Sequence, residues 1–333
     1  MHDGQAKRGV TMQTQVLQAN NDGIKTAVAL LRAGETVSFA TETVYGLGAD
    51  ARSDAAVSRI FAAKERPAFN PLIVHLEDVS MVSEFAEIPE AALALMPLWP
   101  GPLTLVLPKK TGSDLSNLVY AGLDTVAVRI PAHPIARKLL AMFDGPIAAP
   151  SANISGKVSA TSAAHVLAGL NGRIAAILDG GTCPVGLEST IIGFENDAPV
   201  LLRPGGIAVE QIETLNGQKL CHHQPADSIL APGQMASHYA PDVAVRLNAS
   251  APRANEAWLG FGHNPRRAPG LNLSANADLL EAATNLFDAL RKMDAICKNS
   301  GLAGFAVAPI PDTGLGLAIN DRLQRAAAPR PNT

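Results

Sequence analysis

The chain has 333 residues, 47% of them hydrophobic, and its formal net charge at pH 7 is −3. A chain of this length can bury a substantial core, as one large domain or as two unequal ones. The negative net charge excludes a protein-wide positive field for nucleic acid, so any RNA contact requires a local patch. Since no stretch approaches the roughly 18 apolar residues of a membrane helix, we expect no membrane association.

The amino-terminal twenty residues are polar and lack the apolar segment of a signal peptide, which predicts a cytoplasmic protein. Cys183, Cys221 and Cys297 lack the spacing of a disulfide framework or a metal site, so we expect free thiols. Residues 1–215 carry 16 Lys and Arg against 21 Asp and Glu, whereas residues 216–333 carry 11 against 9. Clustered cations within the acidic first part therefore stand out from their surroundings.

Helices and strands alternate from the first predicted element to residue 215. Asn21 and Asp22 are predicted to cap the first helix, which ends at Gly34, and its apolar residues Ile24, Val28 and Leu31 recur at helical spacing. We predict strands at 36–40, 72–76, 103–107, 125–130, 146–150, 175–178, 189–194 and 200–202, with further helices from 53, around 91, at 135–143 and from 161. This alternation is typical of an α/β domain with a mixed sheet.

The periodicity is lost between residues 216 and 241, where Gly, Pro, Gln and His collect. This composition predicts a linker. Beyond it we predict strands at 243–247, 257–261 and 304–308 and amphipathic helices at 274–297 and 315–328. The expected organisation is therefore a large α/β domain at 1–215, a linker at 216–241 and a small α/β domain at 242–333.

Two neighbouring segments carry the residue types of an anion site. The first offers the hydroxyls of Thr41, Thr43 and Tyr45 at a strand end, with Gly46 and Gly48 letting backbone N–H groups approach a ligand. Hydroxyls and glycines are also what turns use, so an ordinary strand exit is an equal alternative.

The second segment offers cations in a stiffened loop. Lys64 and Arg66 follow a predicted helix, and the prolines at 67 and 71 stop the helix and stiffen the chain. Rigid cations beside open backbone suit phosphate.

Two residues at strand ends have more than one interpretation. His75 closes an apolar run, and a histidine there is more often a hydrogen-bonded core residue unless a ligand lies nearby. Arg129 ends a buried strand, where it could pair with a structural carboxylate such as Asp124 or hold a ligand carboxylate bidentately. Before their neighbours are considered, these two interpretations of Arg129 are equally expected.

Polar side chains follow several other predicted strands. Ser151, Asn153 and Ser155 form a hydroxyl-and-amide loop, and Ser189 and Arg203 lie at two further strand ends. Because ligands of an open α/β sheet collect where strand ends converge, we expect a polar, anionic ligand there. The sequence lacks a Walker P-loop, a Rossmann glycine fingerprint after a strand, a Ser-His-Asp arrangement and a Cys/His metal set.

Taken together, these segments resemble the threonylcarbamoyl-AMP synthases, in the longer form that joins a YrdC-like domain to a small carboxy-terminal domain. The resemblance spans nearly the whole chain and rests on residues 38–48, 64–67, 70–75, 128–131, 150–153, 187–191, 202–205, 231–233 and 237–241. It implies an open, twisted mixed sheet with helices around a concave groove, followed by a linker and a small Rossmann-like α/β domain.

The resemblance also implies an activity. Such an enzyme is a nucleotidyltransferase that joins L-threonine, bicarbonate or CO2 and ATP into threonylcarbamoyl-AMP and releases pyrophosphate, with Mg2+ as the expected companion ion. Its product would pass to a separate transferase that modifies the adenosine beside the anticodon of tRNA. Direct contact of this chain with tRNA is not required, and any such contact is expected to be weak.

The family's binding residues carry over onto positions of this sequence. The L-threonine pocket corresponds to Thr43, His75, Arg129, Ala149 and Ser189. The ATP site corresponds to Lys64, Arg66, Asn70, Thr125, Ser151, Ser159, Arg203 and Tyr239, with Lys64 close to the phosphates. We expect no metal held by protein side chains, because Mg2+ would bind through the phosphates. Tyr239 would close the linker over the nucleotide; the alternative is a passive tether.

The sequence departs from the family pattern in two places. Ala40 stands where proline is usual, and residues 234–237 lack the basic side chains that many members carry. Two rival functions remain: a YrdC-like module that binds RNA without chemistry, which the acidic first part disfavours, and an enzyme that adenylates a carbamoyl group from carbamoyl phosphate during hydrogenase maturation. The second rival normally includes acylphosphatase and zinc-finger segments that are absent from this sequence.

Overall fold

The computed structural model describes residues 13–222, 238–263 and 269–329. The strands of the amino-terminal domain are β1 (Gln15–Gln18), β2 (Val37–Phe39), β3 (Gly46–Asp50), β4 (Ile73–His75), β5 (Leu103–Pro108), β6 (Thr125–Arg129), β7 (Ile147–Ala148), β8 (Ala176–Asp179), β9 (Thr190–Glu195), β10 (Ala198–Arg203) and β11 (Cys221–His222). Its helices are α1 (Asn21–Arg32), α2 (Asp54–Lys64), α3 (Val82–Phe85), α4 (Glu90–Leu93), α5 (Asn117–Tyr120), α6 (Pro134–Phe143), α7 (Ala163–Leu170) and α8 (Val209–Asn216), with 3-10 turns at Val79–Met81 and Met96–Leu98.

Within the described residues these strands form one sheet in the order β1-β8-β2-β3-β7-β4-β6-β5-β9-β10-β11. Parallel pairs such as β4 with β6 alternate with antiparallel pairs such as β5 with β6. The predicted α/β class with a mixed sheet is therefore confirmed. The sheet brings the carboxyl ends of β4, β6 and β10 to the same region as the amino end of β9.

Local sequence explains where the helices begin. Asn20 caps α1 by accepting a hydrogen bond from the backbone of Gly23, and Ser53 caps α2 by accepting one from Ala56. The predicted start of α2 is thus correct. The first helix was predicted to be capped one residue too late.

The prediction for Gly48 was wrong. Gly46 and Gly48 lie in β3, which pairs with β2, and a β-carbon at Gly48 would be 2.8 Å from Phe39 and 2.9 Å from Ile147. The glycine at 48 therefore makes room for core side chains and offers no open backbone to a ligand. Strand β3 was missed because its glycines resemble a turn.

The core has apolar side chains on both faces of the sheet. Along β8, Ile177 packs into the cluster beneath α2 and α7, whereas Ala176 and Leu178 pack on the opposite side with α1 and α6. This alternation follows from the two-residue period of a strand.

The carboxy-terminal domain contains β12 (Ala244–Arg246), β13 (Glu256–Gly260), β14 (Gly270–Asn272), α9 (Leu279–Ser300), β15 (Gly304–Val307) and α10 (Leu315–Ala327). Its strands are all parallel, in the order β12-β15-β13-β14. Helix α9 begins five residues later than predicted because Asp278 caps it, accepting hydrogen bonds from the backbone of Leu280 and Glu281. A small second α/β domain was expected here, although β14 was not.

The predicted linker is seen only at its two ends. Helix α8 continues to Asn216 and β11 follows it, while residues 223–237, including the segment 231–237, lie outside the described residues. The domain boundaries at 215 and 241 stay predictions.

The two domains pack closely. Val44, Val158 and Leu187 of the amino-terminal domain share one apolar cluster with Phe287 and Leu290 of α9. Gly186 permits this approach: it has a left-handed φ of +74°, and a β-carbon there would lie 2.4 Å from the α-carbon of Thr284. Among the described residues, no helix is long and apolar enough to cross a membrane.

Candidate active site

One cleft lies where these strand ends meet the beginning of the carboxy-terminal domain. Its lining includes every residue of the expected L-threonine pocket and half of the expected ATP site: Thr43, His75, Arg129, Ala149, Ser189, Arg66, Ser151, Arg203 and Tyr239. These residues come from segments far apart in sequence. Convergence of polar strand ends, which the sequence predicted, is what the structure shows.

Arg129 is held in a buried polar network. Its Nη2 donates to Oε1 of Glu42 at 2.6 Å, Nη1 donates to Oγ1 of Thr43 at 2.8 Å, and Nε donates to the carbonyl oxygen of Gly101 at 3.4 Å. Arg129 and Glu42 are 4% and 6% exposed. The structural partner is therefore Glu42 and not Asp124, which pairs with Lys109 at the surface.

His75 faces the same corner in its neutral form. Its ring packs edge-on against Phe39, with centroids 6.1 Å apart, and Nδ1 lies 3.3 Å from the carbonyl oxygen of Ile73. Burial, together with the charge of Arg129, lowers the pKa of His75 to about 3. At neutral pH its imidazole can therefore orient a ligand without adding a positive charge.

Ser189 and Arg203 form a second polar corner. Arg203 donates through Nη2 to the carbonyl oxygen of Ser189 at 2.9 Å and to Oγ at 3.3 Å, while Oγ of Ser189 lies 2.7 Å from Oγ1 of Thr104. Gly205 brings the two segments together, since a β-carbon there would be 2.4 Å from the backbone of Glu188 and Ser189. The arginine thus lies beside a serine from the expected threonine pocket.

Two guanidinium groups, those of Arg66 and Arg203, line the same cleft. Arg66 donates to the carbonyl oxygens of Asn70 and Pro71, at 3.3 and 2.9 Å. Burial, followed by the charge of Arg203, lowers the pKa of Arg66 to about 9. Burial is likewise the first cause of the lowered pKa of Arg203. Their mutual repulsion favours an anion between them.

The other expected ATP residues lie outside the lining of the cleft. Lys64 is buried beneath the 151–153 loop, where Nζ donates to the carbonyl oxygens of Ser151 and Asn153 at 2.5 and 2.6 Å. Thr125 begins β6, four residues and about 13 Å from Arg129 at the strand's other end. Asn70 and Ser159 are both buried, and Oγ of Ser159 donates to Glu188 at 2.6 Å.

The far end of the linker reaches into the cleft. Tyr239 is 1% exposed, stacks on Phe287 of α9 with ring centroids 5.3 Å apart, and has a left-handed φ of +59°. Such a φ is strained for a bulky residue and is held only by its surroundings. His238 packs against the ring of Tyr239 at 4.0 Å, and both residues line the cleft.

Two family models match this chain. One, described as Telomere recombination and covering Sua5, YciO and YrdC proteins, matches residues 29–205. The other, described as Threonylcarbamoyl-AMP synthase, C-terminal domain, matches residues 207–328. The chain belongs to the threonylcarbamoyl-AMP synthase family.

Individual members of the threonylcarbamoyl-AMP synthase family match this chain over nearly its full length. The Threonylcarbamoyl-AMP synthase of Bacillus subtilis (strain 168) is 43% identical, with 97% of this chain and 98% of the relative covered. The crystal structure of P. abyssi Sua5 complexed with L-threonine has a TM-score of 0.86 and 41% identity, covering 94% of this chain and 98% of that one. A P. abyssi Sua5 variant with an adjacent histidine and tyrosine replaced by alanine has a TM-score of 0.84 and 39% identity, covering 94% and 96%.

Sequence reasoning assigned no role to four residues at or behind this cleft. Glu42 and Glu188 lie within the quoted family segments, and His238 precedes Tyr239, but the partners of these residues are distant in sequence. Arg322 was missed although a signal existed. It interrupts the apolar stripe of α10 formed by Ala318, Ile319, Leu323 and Ala326, which predicts a buried arginine that needs an acceptor.

Proposed function

We propose that this chain is an L-threonylcarbamoyladenylate synthase, which forms threonylcarbamoyl-AMP and pyrophosphate from L-threonine, bicarbonate or CO2 and ATP. The observation that carries the proposal is the single cleft in which Arg129, His75 and Ser189 face Arg66 and Arg203. Family membership and the likeness to a Sua5 structure with bound L-threonine support it.

In this proposal Arg129 receives the carboxylate of threonine. A guanidinium group has five N–H donors, and the three hydrogen bonds to Glu42, Thr43 and Gly101 leave donors on both terminal nitrogens. The side chain is therefore fixed in place yet still able to bind a carboxylate. Thr43, neutral His75, Ser189 and the backbone at Ala149 would hold the remaining polar groups of the amino acid.

The nucleotide would occupy the half of the cleft lined by Arg66, Ser151, Arg203 and Tyr239. The direct ATP contacts expected of Lys64, Asn70, Thr125 and Ser159 stay predictions. The geometry suggests that Lys64 and Ser159 act by supporting the 151–153 loop and Glu188. A lysine amino group that donates to two carbonyl oxygens is well suited to hold such a loop.

Mg2+ would arrive with the phosphates of ATP. Among the described residues, no group of three or more His, Cys, Asp or Glu side chains is arranged to hold a metal ion. Glu188, which lines the cleft, already accepts hydrogen bonds from Ser159 and Arg322. When bound, the ion would offset negative charge on the phosphates.

The chemistry needs no protein nucleophile. The free amine of threonine adds to CO2 and loses a proton, giving a carbamate. A carbamate oxygen then forms a bond to the α-phosphorus while the bond to the leaving pyrophosphate breaks. The protein's contribution is to align the two substrates and to stabilise charge on the phosphate oxygens with Arg66 and Arg203.

The buried position of Tyr239 suits a product that water would hydrolyse. A closed linker would exclude water from the mixed anhydride until release. The product would then pass to a separate transferase that modifies tRNA adenosine beside the anticodon.

A substrate-omission assay tests the proposal. The full chain is incubated with ATP, Mg2+, L-threonine and bicarbonate, and pyrophosphate release is measured with each substrate omitted in turn. We expect release that requires both threonine and bicarbonate. Release that is indifferent to threonine contradicts the proposed function, and release driven by carbamoyl phosphate instead supports the rival enzyme.

A further inference from the structure

The carboxy-terminal domain places one arginine directly behind the cleft. Arg322 lies on α10 with a fully buried side chain, and its Nε donates to Oε2 of Glu188 at 3.0 Å. Its Nη1 donates to the carbonyl oxygen of Pro204, next to Arg203, at 2.7 Å. The guanidinium carbon lies 5.6 Å from the centre of the Tyr239 ring. One side chain therefore contacts the amino-terminal domain, the end of the linker and its own domain.

We propose that Arg322 is a positioning residue for the nucleotide half of the cleft, acting through Glu188 and Tyr239, so that the carboxy-terminal domain completes the ATP site. This inference rests on the proposed function. Among the described residues, Arg322 contacts Glu188, Pro204 and Tyr239 outside its own domain and none of Thr43, His75 and Arg129. Tyr239 and Arg203, the neighbour of Pro204, line the nucleotide half, and Glu188 bonds to Ser159 of the expected ATP site.

Glu188 explains why such an arginine is needed. Its carboxylate lines a cleft that is proposed to hold a triphosphate, and an unpaired carboxylate there would repel the nucleotide. Burial alone raises the pKa of Glu188, but Arg322, Arg203 and the hydrogen bond from Ser159 outweigh burial and lower it to about 2. The carboxylate is thus ionised at neutral pH, and Arg322 offsets its charge.

Arg322 also fixes the orientation of Glu188. The two carboxylate oxygens are divided between partners, since Oε2 accepts from Arg322 while Oε1 accepts from Ser159 at 2.6 Å. Asp321 accepts a hydrogen bond from Nη1 of Arg322 at 2.8 Å, which anchors the guanidinium on α10. A change at Arg322 therefore reaches Ser159 through Glu188, and it reaches Tyr239 directly.

Steady-state kinetics with four variants test the inference. The KM values for ATP and threonine are measured for the wild type, Arg322→Gln, Glu188→Gln, the double variant and Arg246→Gln. Arg246 is the matched control because it pairs with Glu256 inside the carboxy-terminal domain, with Nη2 and Oε2 2.5 Å apart. Within the part of the chain that the structure describes, it forms no hydrogen bond or ion pair with the residues that line the cleft.

We expect Arg322→Gln to raise the KM for ATP about tenfold, because removing one partner leaves a buried charge uncompensated. The KM for threonine should change less than about twofold, because Arg322 contacts none of Thr43, His75 and Arg129 in the described part of the chain. Adding Glu188→Gln removes the charge that Arg322 offsets, so the double variant should have an ATP KM closer to wild type than Arg322→Gln alone. Arg246→Gln should leave both KM values unchanged.

Equal increases in both KM values, or no recovery in the double variant, would overturn the inference. Those results are expected if Arg322 only stabilises the packing of the two domains. If Arg322→Gln does not fold, Arg322→Lys is tested in its place. Lysine keeps the positive charge but cannot keep all of the hydrogen bonds to Glu188 and Pro204, so the KM for ATP should rise more than the KM for threonine. Equal changes in the two KM values overturn the inference. Calorimetric binding of a non-hydrolysable ATP analogue provides the same comparison without turnover. Pyrophosphate release by the wild type without threonine would instead contradict the proposed function. Failure of the proposed function is therefore distinguishable from failure of the role given to Arg322.

Discussion

The guanidinium of Arg129 and the carboxylate of Glu42 form a buried ion pair, with Nη2 and Oε1 2.6 Å apart. The same carboxylate accepts hydrogen bonds through Oε2 from the backbone of Ala132 and His133, at 3.1 and 3.3 Å. Glu42 therefore ties the strand exit at 41–45 to the segment that follows β6. Its structural role is to hold Arg129 at the edge of the cleft.

Replacement of this carboxylate should weaken both the fold and threonine binding. Glu42→Gln leaves Arg129 charged and buried without its partner, a change that typically costs about 3–5 kcal/mol. We expect a loss of that order in the free energy of unfolding, measured by denaturant titration. The KM for threonine should rise more than the KM for ATP.

The control for this experiment is Asp50→Asn. Asp50 pairs with Arg52, but the two side chains are 21% and 38% exposed, and exposed pairs contribute about 1 kcal/mol or less. A loss of stability no larger in Glu42→Gln than in this control would contradict the role given to Glu42.

Arg129→Ala should act on threonine before it acts on ATP. It removes the group proposed to bind the carboxylate, and a hydrogen bond to a charged group contributes about 1.5–3 kcal/mol. We therefore expect the KM for threonine to rise roughly tenfold to a hundredfold, as that energy range implies. Equal changes in both KM values would argue against the division of the cleft.

Arg203→Ala should give the opposite pattern. Loss of a cation that stabilises transition-state charge is expected to cost about 3–4 kcal/mol. The cost should be observed as a lower kcat and a higher KM for ATP. Because Arg203 also donates to Ser189, a smaller rise in the KM for threonine should accompany it. A variant whose only defect is in threonine KM would show that Arg203 belongs to the other half.

The neutral state of His75 makes a prediction about pH. Because burial and Arg129 lower its pKa to about 3, the unfolded chain binds a proton between about pH 6.5 and 3 that the folded chain does not. The free energy of unfolding should therefore decrease as the pH is lowered from about 6.5 to about 3, by up to about 1.4 kcal/mol per pH unit for this group. Above pH 6.5 or so His75 should contribute no pH dependence.

Denaturant unfolding at several pH values checks this, with His75→Gln compared to the wild type. Between pH 6 and 4, the free energy of unfolding of the variant should depend less steeply on pH, and the difference in slope should correspond to the uptake of about one proton. Identical slopes in the variant and the wild type would mean that His75 titrates normally in the fold.

Much of this fold follows from local sequence signals. The alternation of helix and strand gave most elements to within a few residues, and polar strand ends correctly indicated one convergent site. What failed depended on distant contacts: Gly48 was assigned to ligand approach because the packing of Phe39 against it is not visible in the sequence. The partner of Arg129 was missed because Glu42 lies 87 residues away.

Arg322 shows a different limit. Its position within an apolar helix stripe could have signalled a buried cation, but nothing in the sequence indicates that its acceptor is Glu188, 134 residues earlier. Interdomain contacts of this kind depend on how α9 and α10 pack against the larger domain.

A structure of the chain bound to L-threonine and a non-hydrolysable ATP analogue tests the central claim most directly. We predict that both ligands occupy the one cleft, with the threonine carboxylate within hydrogen-bond distance of Arg129 and the phosphates beside Arg66 and Arg203. Threonine or nucleotide bound elsewhere, or the threonine amine facing away from the α-phosphate, would contradict it.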